Sequence, residues 1–433
     1  MENLFNHTFA IHTLGCKVNT YESDVISENM RKAGFLEVSF EEKADIYIIN
    51  TCTVTNIADR KSRQMLHRAR KRNPEALIIA AGCYVDAVQQ GKGLPEPEVD
   101  LWVGNQEKSR LTELCIARLQ GETECSCSDG SYFLTELDGH TRAFVKIEDG
   151  CGMFCTYCII PYVRGKVVSR PVEDTLKEVR GLAAKGIKEV VLTGIHLSSM
   201  GKQLIETIRQ INGVPGIERI RLGSLEPRLI TENIVNELGQ FDKLCHHFHL
   251  SLQSGSDTIL KAMNRRYTAA EFLESCRILR RKWPDVAITT DIIVGFPGET
   301  EQNFEETLAF ARQAQFYEAH IFKYSRRKGT KADEMPGQIT EAVKSERSDR
   351  LSAVCEEMSR RFRERFPGRT VEFLAEELIE AEGEICITGY TREYVRCVLP
   401  LKDRPWAPGQ LFTGTAQKIV ADRSGGEMLS CIS

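Results

Sequence analysis

The sequence lacks the features that mark membrane-spanning, secreted or disordered chains. No apolar run approaches the roughly 20 residues that a membrane-spanning helix needs, and the first residues contain no basic segment followed by an apolar one. Low-complexity tracts are also missing, and the hydrophobic and charged fractions, 42% and 27%, are ordinary for a globular protein. We therefore expect a folded cytoplasmic protein that makes no membrane contact.

The chain also lacks a strong net charge, because the formal value is only -4. Any nucleic-acid contact would therefore depend on local basic clusters rather than on the field of the whole molecule. With 433 residues the chain is longer than one hydrophobic core usually supports, which predicts two or three domains.

Cysteine is abundant, with 15 residues. A chain of this size can build its core without disulfide bonds, and a reducing compartment would keep the cysteines as thiols. Metal ligation is the better explanation for part of this set, although it cannot involve every cysteine.

The first 121 residues repeat one pattern three times: an apolar strand, a turn that holds a cysteine, and a helix. Such alternation predicts a doubly wound parallel sheet, in which the carboxyl ends of the strands meet at one edge. The strand and cysteine pairs are Phe9–Leu14 with Cys16, Ile46–Thr51 with Cys52, and Leu77–Gly82 with Cys83. From spacing alone, metal ligation and simple packing at the strand ends are both open, and the position before a helix favours the thiolate form.

Composition and periodicity divide the rest of the chain into three parts. Residues 122–141 are polar and rich in glycine and serine and predict a linker, in which the roles of Cys125 and Cys127 stay open. Residues 142–367 contain six strand–helix units, which fit a partial (β/α)6 barrel better than a closed barrel of eight units. Residues 368–433 change to short alternating strands with glycine turns, which predict a small β-barrel.

The strongest chemical signal is Cys151-x-x-x-Cys155-x-x-Cys158, just after the first strand of the predicted barrel. Three thiolates within reach of one another suit a four-iron cluster that leaves one iron open to a substrate or cofactor. A zinc knuckle or a redox loop is the alternative, but zinc sites tend to use a second, distant cysteine pair, which this domain lacks. The motif, with Tyr157 before its last cysteine, resembles the radical S-adenosylmethionine (SAM) superfamily, in which the open iron binds SAM.

Turns that follow later strands agree with that resemblance. In such barrels the active site lies at the carboxyl ends of the strands, so we expect these turns to contribute a SAM pocket. The expected SAM-binding residues are Tyr157, Thr193, Gly194, Gln253, Ser254, Asp291 and Gly295.

Seven motifs together resemble the methylthiotransferase family of radical SAM enzymes, in the family's order and over nearly the whole chain. They are Thr13–Asn19, Ile49–Val54, Gly82–Tyr84, Cys151–Gly165, Leu192–His196, Leu252–Ser256 and Gly295–Thr300. The C-terminal barrel looks like a TRAM domain. The resemblance implies that Cys16, Cys52 and Cys83 hold an auxiliary 4Fe-4S cluster, and that Cys151, Cys155 and Cys158 hold the SAM-binding one. Gly152 and the residues after His196 depart from the family pattern without removing a ligand.

The resemblance also implies a reaction. One SAM molecule methylates a sulfur atom on the auxiliary cluster, and a second is cleaved to a radical that removes hydrogen from C2 of an adenine, which then takes the methylthio group. The motif around Cys16 and Gly194-Ile195-His196 are most similar to the branch that acts on N6-threonylcarbamoyladenosine in tRNA. The alternatives are N6-isopentenyladenosine, a ribosomal protein, or a non-catalytic iron–sulfur electron carrier.

A basic helix after Cys52 predicts contact with RNA phosphates, although such a run is usually a solvated helix face. The expected RNA-binding residues are Arg63, Arg68, Arg70 and Lys71. Two further basic runs, Arg265-Arg266 and Arg326-Arg327-Lys328, could extend this track. The expected partners are the anticodon stem-loop of tRNA and an electron donor such as flavodoxin or ferredoxin.

Overall fold

The computed structural model describes residues 7–121, 133–134, 141–402, 404–421 and 426–432. These residues form two compact units. The first combines the described residues up to 134 with residues 148–169 and 325–334, and the second contains residues 141–147, 170–324 and 335–432. The first unit crosses the predicted boundary at residue 142, because the loop with Cys151 packs with the N-terminal sheet. The predicted linker, with Cys125 and Cys127, lies almost wholly outside the described residues.

The first unit is built on five strands and four helices, with short elements added by the later segments. The strands are β1 (Thr8–Thr13), β2 (Leu36–Glu37), β3 (Ile46–Thr51), β4 (Leu77–Gly82) and β5 (Leu101–Val103). The helices are α1 (Lys17–Lys32), α2 (Asn56–Arg72), α3 (Cys83–Gln89) and α4 (Leu111–Leu119). The later segments add β7 (Glu148–Asp149), α5 (Ile160–Val163), β8 (Val168–Ser169) and α12 (Lys331–Glu334).

The five-stranded sheet is parallel and has the order β2-β1-β3-β4-β5. Alternate residues of its strands bury into two separate cores, one on each face, as the period of two requires. Ile46 and Ile48 pack in one core with residues of α1 and α4, whereas Tyr47 and Ile49 pack in the other with residues of α2. Burial on both faces explains the continuous apolar runs and confirms the predicted doubly wound fold.

The second unit begins with strand–helix alternation. Its strands are β6 (Arg142–Lys146), β9 (Glu189–Thr193), β10 (Arg219–Leu222), β11 (Ser224–Leu225), β12 (His247–Gln253), β13 (Ala287–Val294) and β14 (Glu318–Lys323). The helices are α6 (Val172–Ala184), α7 (Lys202–Asn212), α8 (Glu232–Leu238), α9 (Asp257–Ala262), α10 (Ala269–Lys282), α11 (Glu301–Ala314) and α13 (Glu341–Arg363).

These strands are parallel and form the sheets β10-β9-β6 and β11-β12-β13-β14. A single bridge between Ile220 and Leu244 extends the first sheet beyond β10. The six long strands follow one another in chain order, each with its helix, so the predicted partial barrel of six units is confirmed. No helix among the described residues is long and apolar enough to cross a membrane.

The chain ends in a closed five-stranded barrel with the order β15-β16-β17-β19-β18. Its strands are β15 (Thr370–Ala381), β16 (Glu384–Thr391), β17 (Arg396–Pro400), β18 (Leu411–Ala421) and β19 (Glu427–Ile432). Alternating apolar residues such as Phe373, Ile387 and Leu399 fill its interior. This closure confirms the predicted small β-barrel, although β19 was not among the predicted strands.

Buried arginines fix the small barrel to the larger one within the second unit. Arg219 donates hydrogen bonds to the carbonyl oxygens of Tyr390 and Glu372 at 2.8 and 3.0 Å. Arg221 lies at 2.8 Å from Glu189, a fully buried carboxylate. Burial raises the pKa of Glu189, but the surrounding arginines outweigh that effect and leave it below its usual value. The carboxylate is therefore charged and holds the arginines that reach the small barrel.

Candidate metal centres

The first unit gathers Cys16, Cys52 and Cys83 at one edge of its sheet. Each follows the carboxyl end of a strand: Cys16 precedes α1, Cys52 directly follows β3, and Cys83 begins α3. Because β1, β3 and β4 are neighbours in the sheet, three cysteines separated by more than thirty residues each lie together. Cys52 and Cys83 are buried, whereas Cys16 is exposed, so the group opens to solvent on one side.

The local packing suits a shared metal cluster. Gly15 has φ +107°, and a Cβ atom there would lie 2.9 Å from Cys52 Cβ and 3.0 Å from Cys52 Sγ, so only glycine leaves room for this sulfur. Burial is the largest of the causes that raise the pKa of the Cys52 thiol to about 12, and charge repulsion from Cys83 and Cys16 contributes to that rise. Binding to iron would supply the positive charge that favours the thiolate form of Cys52.

Asn105 completes the surroundings of Cys83. Its side-chain nitrogen lies 3.5 Å from Cys83 Sγ, 2.6 Å from Asp86 Oδ2 and 3.0 Å from the carbonyl oxygen of Val163. Amide donors to cluster sulfurs adjust reduction potential and fix ligand orientation. No sequence motif marks Asn105, which follows the three-residue strand β5.

The second cysteine group occupies the irregular loop between β7 and α5. Cys155 is buried, and Cys151 and Cys158 are half-buried. Gly150 shapes the loop, because its φ is +82° and a Cβ atom there would lie 2.1 Å from the carbonyl oxygen of Lys166. Phe154, between the first two cysteines, adopts the left-handed conformation with φ +47°. This strained turn holds three thiols on one short loop, which fits a three-thiolate cluster site.

Apolar packing connects the two cysteine groups within the first unit. Cys83 and Ala87 form a hydrophobic cluster with Ile159 and Val163, which immediately follow the Cys151–Cys158 loop. The loop is therefore attached to the helix that begins at an N-terminal cysteine.

A buried polar network makes a second connection, centred on Arg164. Its guanidinium lies 2.9 Å from Asp149, 3.1 Å from Glu22 and 2.7 Å from the side-chain oxygen of Asn19. Lys108 donates to the same Glu22 at 2.5 Å. The side chains of Arg164, Glu22 and Lys108 are 1–2% exposed, so removal of one charge would leave its partners without solvent to replace it.

The cysteines themselves contribute to the electrostatics of Arg164. Burial lowers the pKa of its guanidinium, but Cys83, Glu22, Asp149 and Cys16 together raise it well above the usual value. Arg164 is therefore a fixed positive charge beside the N-terminal cysteines and in the segment that follows the second group.

Residues 325–334 make a third connection. Arg327 donates to Asn56, Asp59 and Thr53 at 2.6–2.9 Å, and the amide of Ala332 donates to the carbonyl oxygen of Thr156 at 2.8 Å. The segment thus joins the start of α2, close after Cys52, to the second cysteine loop.

Two arginines of the additional basic runs are internal. Arg327 is only 4% exposed, and the side chain of Arg265 is 8% exposed and lies 3.6 Å from Glu226. These two side chains are used inside each unit and are not available to an RNA-binding track, whereas the exposed Arg266, Arg326 and Lys328 stay predicted members of it.

The residues expected to bind SAM lie mainly at strand ends of the second unit. Thr193 ends β9, Gln253 ends β12, and Gly295 follows β13, while Gly194 and Ser254 are the next residues after their strands. Tyr157 belongs to the first unit. Their role in SAM binding stays a prediction.

Two of these positions have unusual surroundings. Gln253 has φ +73°, a conformation that few residues other than glycine adopt and that clusters at functional sites. Asp291 lies inside β13, 3.4 Å from His249.

Helix α2 carries the residues expected to contact RNA, and three of them form ion pairs. Arg63 lies 3.5 Å from Glu96 and Arg70 2.6 Å from Asp100, while Arg68 pairs with Glu41. Lys71 is exposed and has no ion pair within the described ranges. Arg70 also donates to three backbone carbonyl groups, so it holds the fold together as well as carrying charge.

Two family models match the chain. The radical SAM superfamily matches residues 145–311, and the uncharacterized protein family UPF0004 matches residues 8–104. The first match includes the Cys151–Cys158 loop, and the second includes all three N-terminal cysteines.

Curated relatives resemble nearly the whole chain. It is 39% identical over 407 residues to "Threonylcarbamoyladenosine tRNA methylthiotransferase MtaB" of Bacillus subtilis, with 90% of each chain covered. The protein of the same name from Thermotoga maritima is 38% identical, again over 90% of each chain. "tRNA-2-methylthio-N(6)-dimethylallyladenosine synthase" of Acetivibrio thermocellus is 34% identical over 89% of this chain and 83% of that protein.

The fold is similar to that of a solved radical SAM enzyme. The methyltransferase TsrM from Kitasatospora setae superimposes with a TM-score of 0.57 over 76% of this chain and 75% of its own, at 14% identity. At that identity the likeness concerns the fold alone.

Proposed function

The chain belongs to the radical SAM methylthiotransferase family, and we propose that it adds a methylthio group to C2 of N6-threonylcarbamoyladenosine next to the anticodon of tRNA. Relatives that carry this activity in their names are 38–39% identical over 90% of the chain. The observation that supports the chemistry most directly is the presence of two groups of three cysteines in one compact unit. Each group offers one thiolate fewer than a four-iron cluster can bind.

Two 4Fe-4S clusters and SAM supply the one-electron cleavage and the sulfur transfer when they are bound. Cys16, Cys52 and Cys83 would hold the auxiliary cluster, and Cys151, Cys155 and Cys158 the SAM-binding one. The task of the protein is to position these groups and to exclude water. Arg164 and its partners serve that task, because they fix the loop of the second group to the sheet that carries the first.

The strand-end residues of the second unit would form the SAM pocket. Thr193, Gly194, Gln253, Ser254 and Gly295 offer backbone groups and small side chains at the carboxyl ends of parallel strands, where such barrels bind ligands. We propose separately that Tyr157, in the cysteine loop of the first unit, binds SAM. We further propose that the reaction takes place in the cytoplasm, with flavodoxin or ferredoxin as the electron donor.

We expect deletion of the gene to remove 2-methylthio-N6-threonylcarbamoyladenosine from tRNA and to leave 2-methylthio-N6-isopentenyladenosine unchanged. Mass spectrometry of bulk tRNA nucleosides measures both. Wild-type protein supplied in trans should restore the lost nucleoside, and a Cys155→Ala variant should not. Loss of only the isopentenyl derivative would contradict the proposal, and unchanged tRNA would favour a ribosomal protein substrate or an electron carrier.

We expect α2 to contact tRNA phosphates through its exposed cations. Replacing Lys71 and Arg68 with Ala should weaken tRNA binding and reduce the salt dependence of its affinity by a slope of about 1 per lost contact. SAM cleavage without tRNA should persist. Binding measured from low to high salt tests this.

Arg361→Ala is the matched control for this test. Arg361 is similarly exposed on α13 and pairs with Glu357, so its loss should leave the slope unchanged. If the α2 variant also keeps the wild-type slope, the helix is an ordinary solvated face.

A further inference from the structure

Three neighbouring strands of the second unit place a cluster of polar side chains on one face. His249 on β12, Asp291 on β13 and His320 on β14 each present a nitrogen or oxygen within 4.8 Å of the others. His249 Nε2 lies 3.4 Å from Asp291 Oδ2, and the rings of His249 and His320 stack with centroids 6.1 Å apart.

The strand register explains why these residues meet. Asp291 is the direct cross-strand partner of His320, and His249 is the partner of Thr289, two residues before Asp291. Successive side chains alternate between the faces of a strand. The three residues of the cluster and Thr289 therefore project to the same side of the sheet. The opposite face of β14 packs on α13. From that face Lys323 donates a hydrogen bond to Ser345 of α13 at 2.8 Å. Phe322 shares the face of His320 and is 46% exposed.

The cluster is held in place from within the sheet. Thr289 Oγ1 lies 3.1 Å from His249 Nδ1 and 3.0 Å from His247 Nε2. A hydroxyl bound to one ring nitrogen fixes the orientation of the imidazole and leaves the other nitrogen toward Asp291. His320, by contrast, is exposed to solvent. Two imidazoles, whose ring nitrogens donate or accept according to the tautomer, and one carboxyl group are thus arranged before any ligand arrives.

We infer that His249, Asp291 and His320 recognise the threonylcarbamoyl group of the substrate adenosine. This inference rests on the proposed function. The threonylcarbamoyl group carries a carboxylate and a carbonyl, which accept hydrogen bonds from the imidazoles, and N–H and O–H groups, which donate to Asp291. Phe322 offers an aromatic surface on which the adenine can stack.

The same polar face selects against an isopentenyl group. An apolar substituent would remove the water that is hydrogen-bonded to the two imidazoles and the carboxylate and would offer no hydrogen bonds in its place. Sites of this kind discriminate strongly against analogues that lack the hydrogen-bonding groups. Asp291, which we expected among the SAM-binding residues, acts on the substrate side in this assignment.

The test compares two substrates in the enzyme reconstituted with both clusters. One is an anticodon stem-loop with N6-threonylcarbamoyladenosine, and the other is the same RNA with N6-isopentenyladenosine. His320→Phe should lower kcat/KM for the threonylcarbamoyl substrate by about 10- to 100-fold. The ratio of kcat/KM between the threonylcarbamoyl and the isopentenyl substrate should become smaller as a result. His320→Gln, which keeps an N–H donor, should recover part of the loss. Lys323→Ala, on the opposite face of the same strand, should behave as wild type.

The outcomes separate this inference from the proposed function. Wild-type enzyme that methylthiolates only the isopentenyl substrate would overturn both. Wild-type enzyme that prefers the threonylcarbamoyl substrate, with a His320→Phe variant of equal kcat/KM and equal preference, would overturn the inference alone. The finding of one zinc ion per chain that disappears in His320→Phe would also overturn it, because the cluster would then be a metal site.

Discussion

Replacing Cys16, Cys52 and Cys83 together with Ala is expected to halve the iron content of anaerobically reconstituted enzyme and to abolish methylthiolated tRNA. Reductive formation of 5′-deoxyadenosine from SAM should continue, because Cys151, Cys155 and Cys158 are intact. The converse triple variant should also lose half of the iron but should form no 5′-deoxyadenosine. Iron analysis, SAM cleavage and nucleoside mass spectrometry on the same preparations distinguish the two groups.

Cys115→Ala is the matched control. Cys115 is fully buried in the core of the same unit, away from both cysteine groups, so its replacement should leave the iron content and both activities unchanged. If the N-terminal triple variant keeps its full iron content and still makes the methylthiolated product, its three cysteines are packing residues and the two-cluster assignment is wrong.

Local patterns in the sequence predicted the framework of this site. The repeat of strand, cysteine and helix located Cys16, Cys52 and Cys83 at strand ends, because burial on both faces of a parallel sheet leaves a continuous apolar run that is easy to recognise. The spacing of Cys151, Cys155 and Cys158 is itself local. Both predictions needed only the residues adjacent to each cysteine.

Contacts between distant segments could not be predicted in the same way. Arg164 and Glu22 are 142 residues apart, and no periodicity marks either of them as buried. Arg327 lies in a basic run that predicts a surface, yet the fold pairs it with Asp59. A buried charge and an exposed charge have the same sequence signature, and only the folded chain distinguishes them.

Strands β5 and β19 were not predicted, for a related reason. Strand β5 contains three residues, too few to establish a period of two. Strand β19 closes the small barrel by pairing with β18 and β17, and its own six residues alternate only weakly. Its place depends on the edges that the other strands leave unpaired, which is a property of the whole sheet.

The buried network around Arg164 leads to the second large expected effect. Arg164→Met should destabilise the first unit by about 3–5 kcal/mol. The buried Glu22 would keep Lys108 but lose the guanidinium, and Asn19 and Asp149 would lose the hydrogen bonds that Arg164 donates to them. For a unit of this size the loss corresponds to a fall in unfolding temperature of roughly 10 °C. Thermal unfolding of the reconstituted enzyme measures it. Lys at this position should restore only part of the loss, since an ammonium cannot bridge three partners with the fixed geometry of a guanidinium.

Exposure, rather than the number of ion pairs, should decide the size of this effect. Arg350 also contacts three carboxylates, those of Glu301, Glu305 and Glu346, but its side chain is 37% exposed, so water can replace its partners and Arg350→Met should change the unfolding temperature little. The double variant Arg164→Met with Glu22→Gln should be no more stable than Arg164→Met alone, because Glu22 balances the charge of the buried Lys108 and its neutralisation removes that counter-ion. Equal unfolding temperatures for wild type and Arg164→Met would show that the network contributes nothing to holding the second cysteine loop against the sheet.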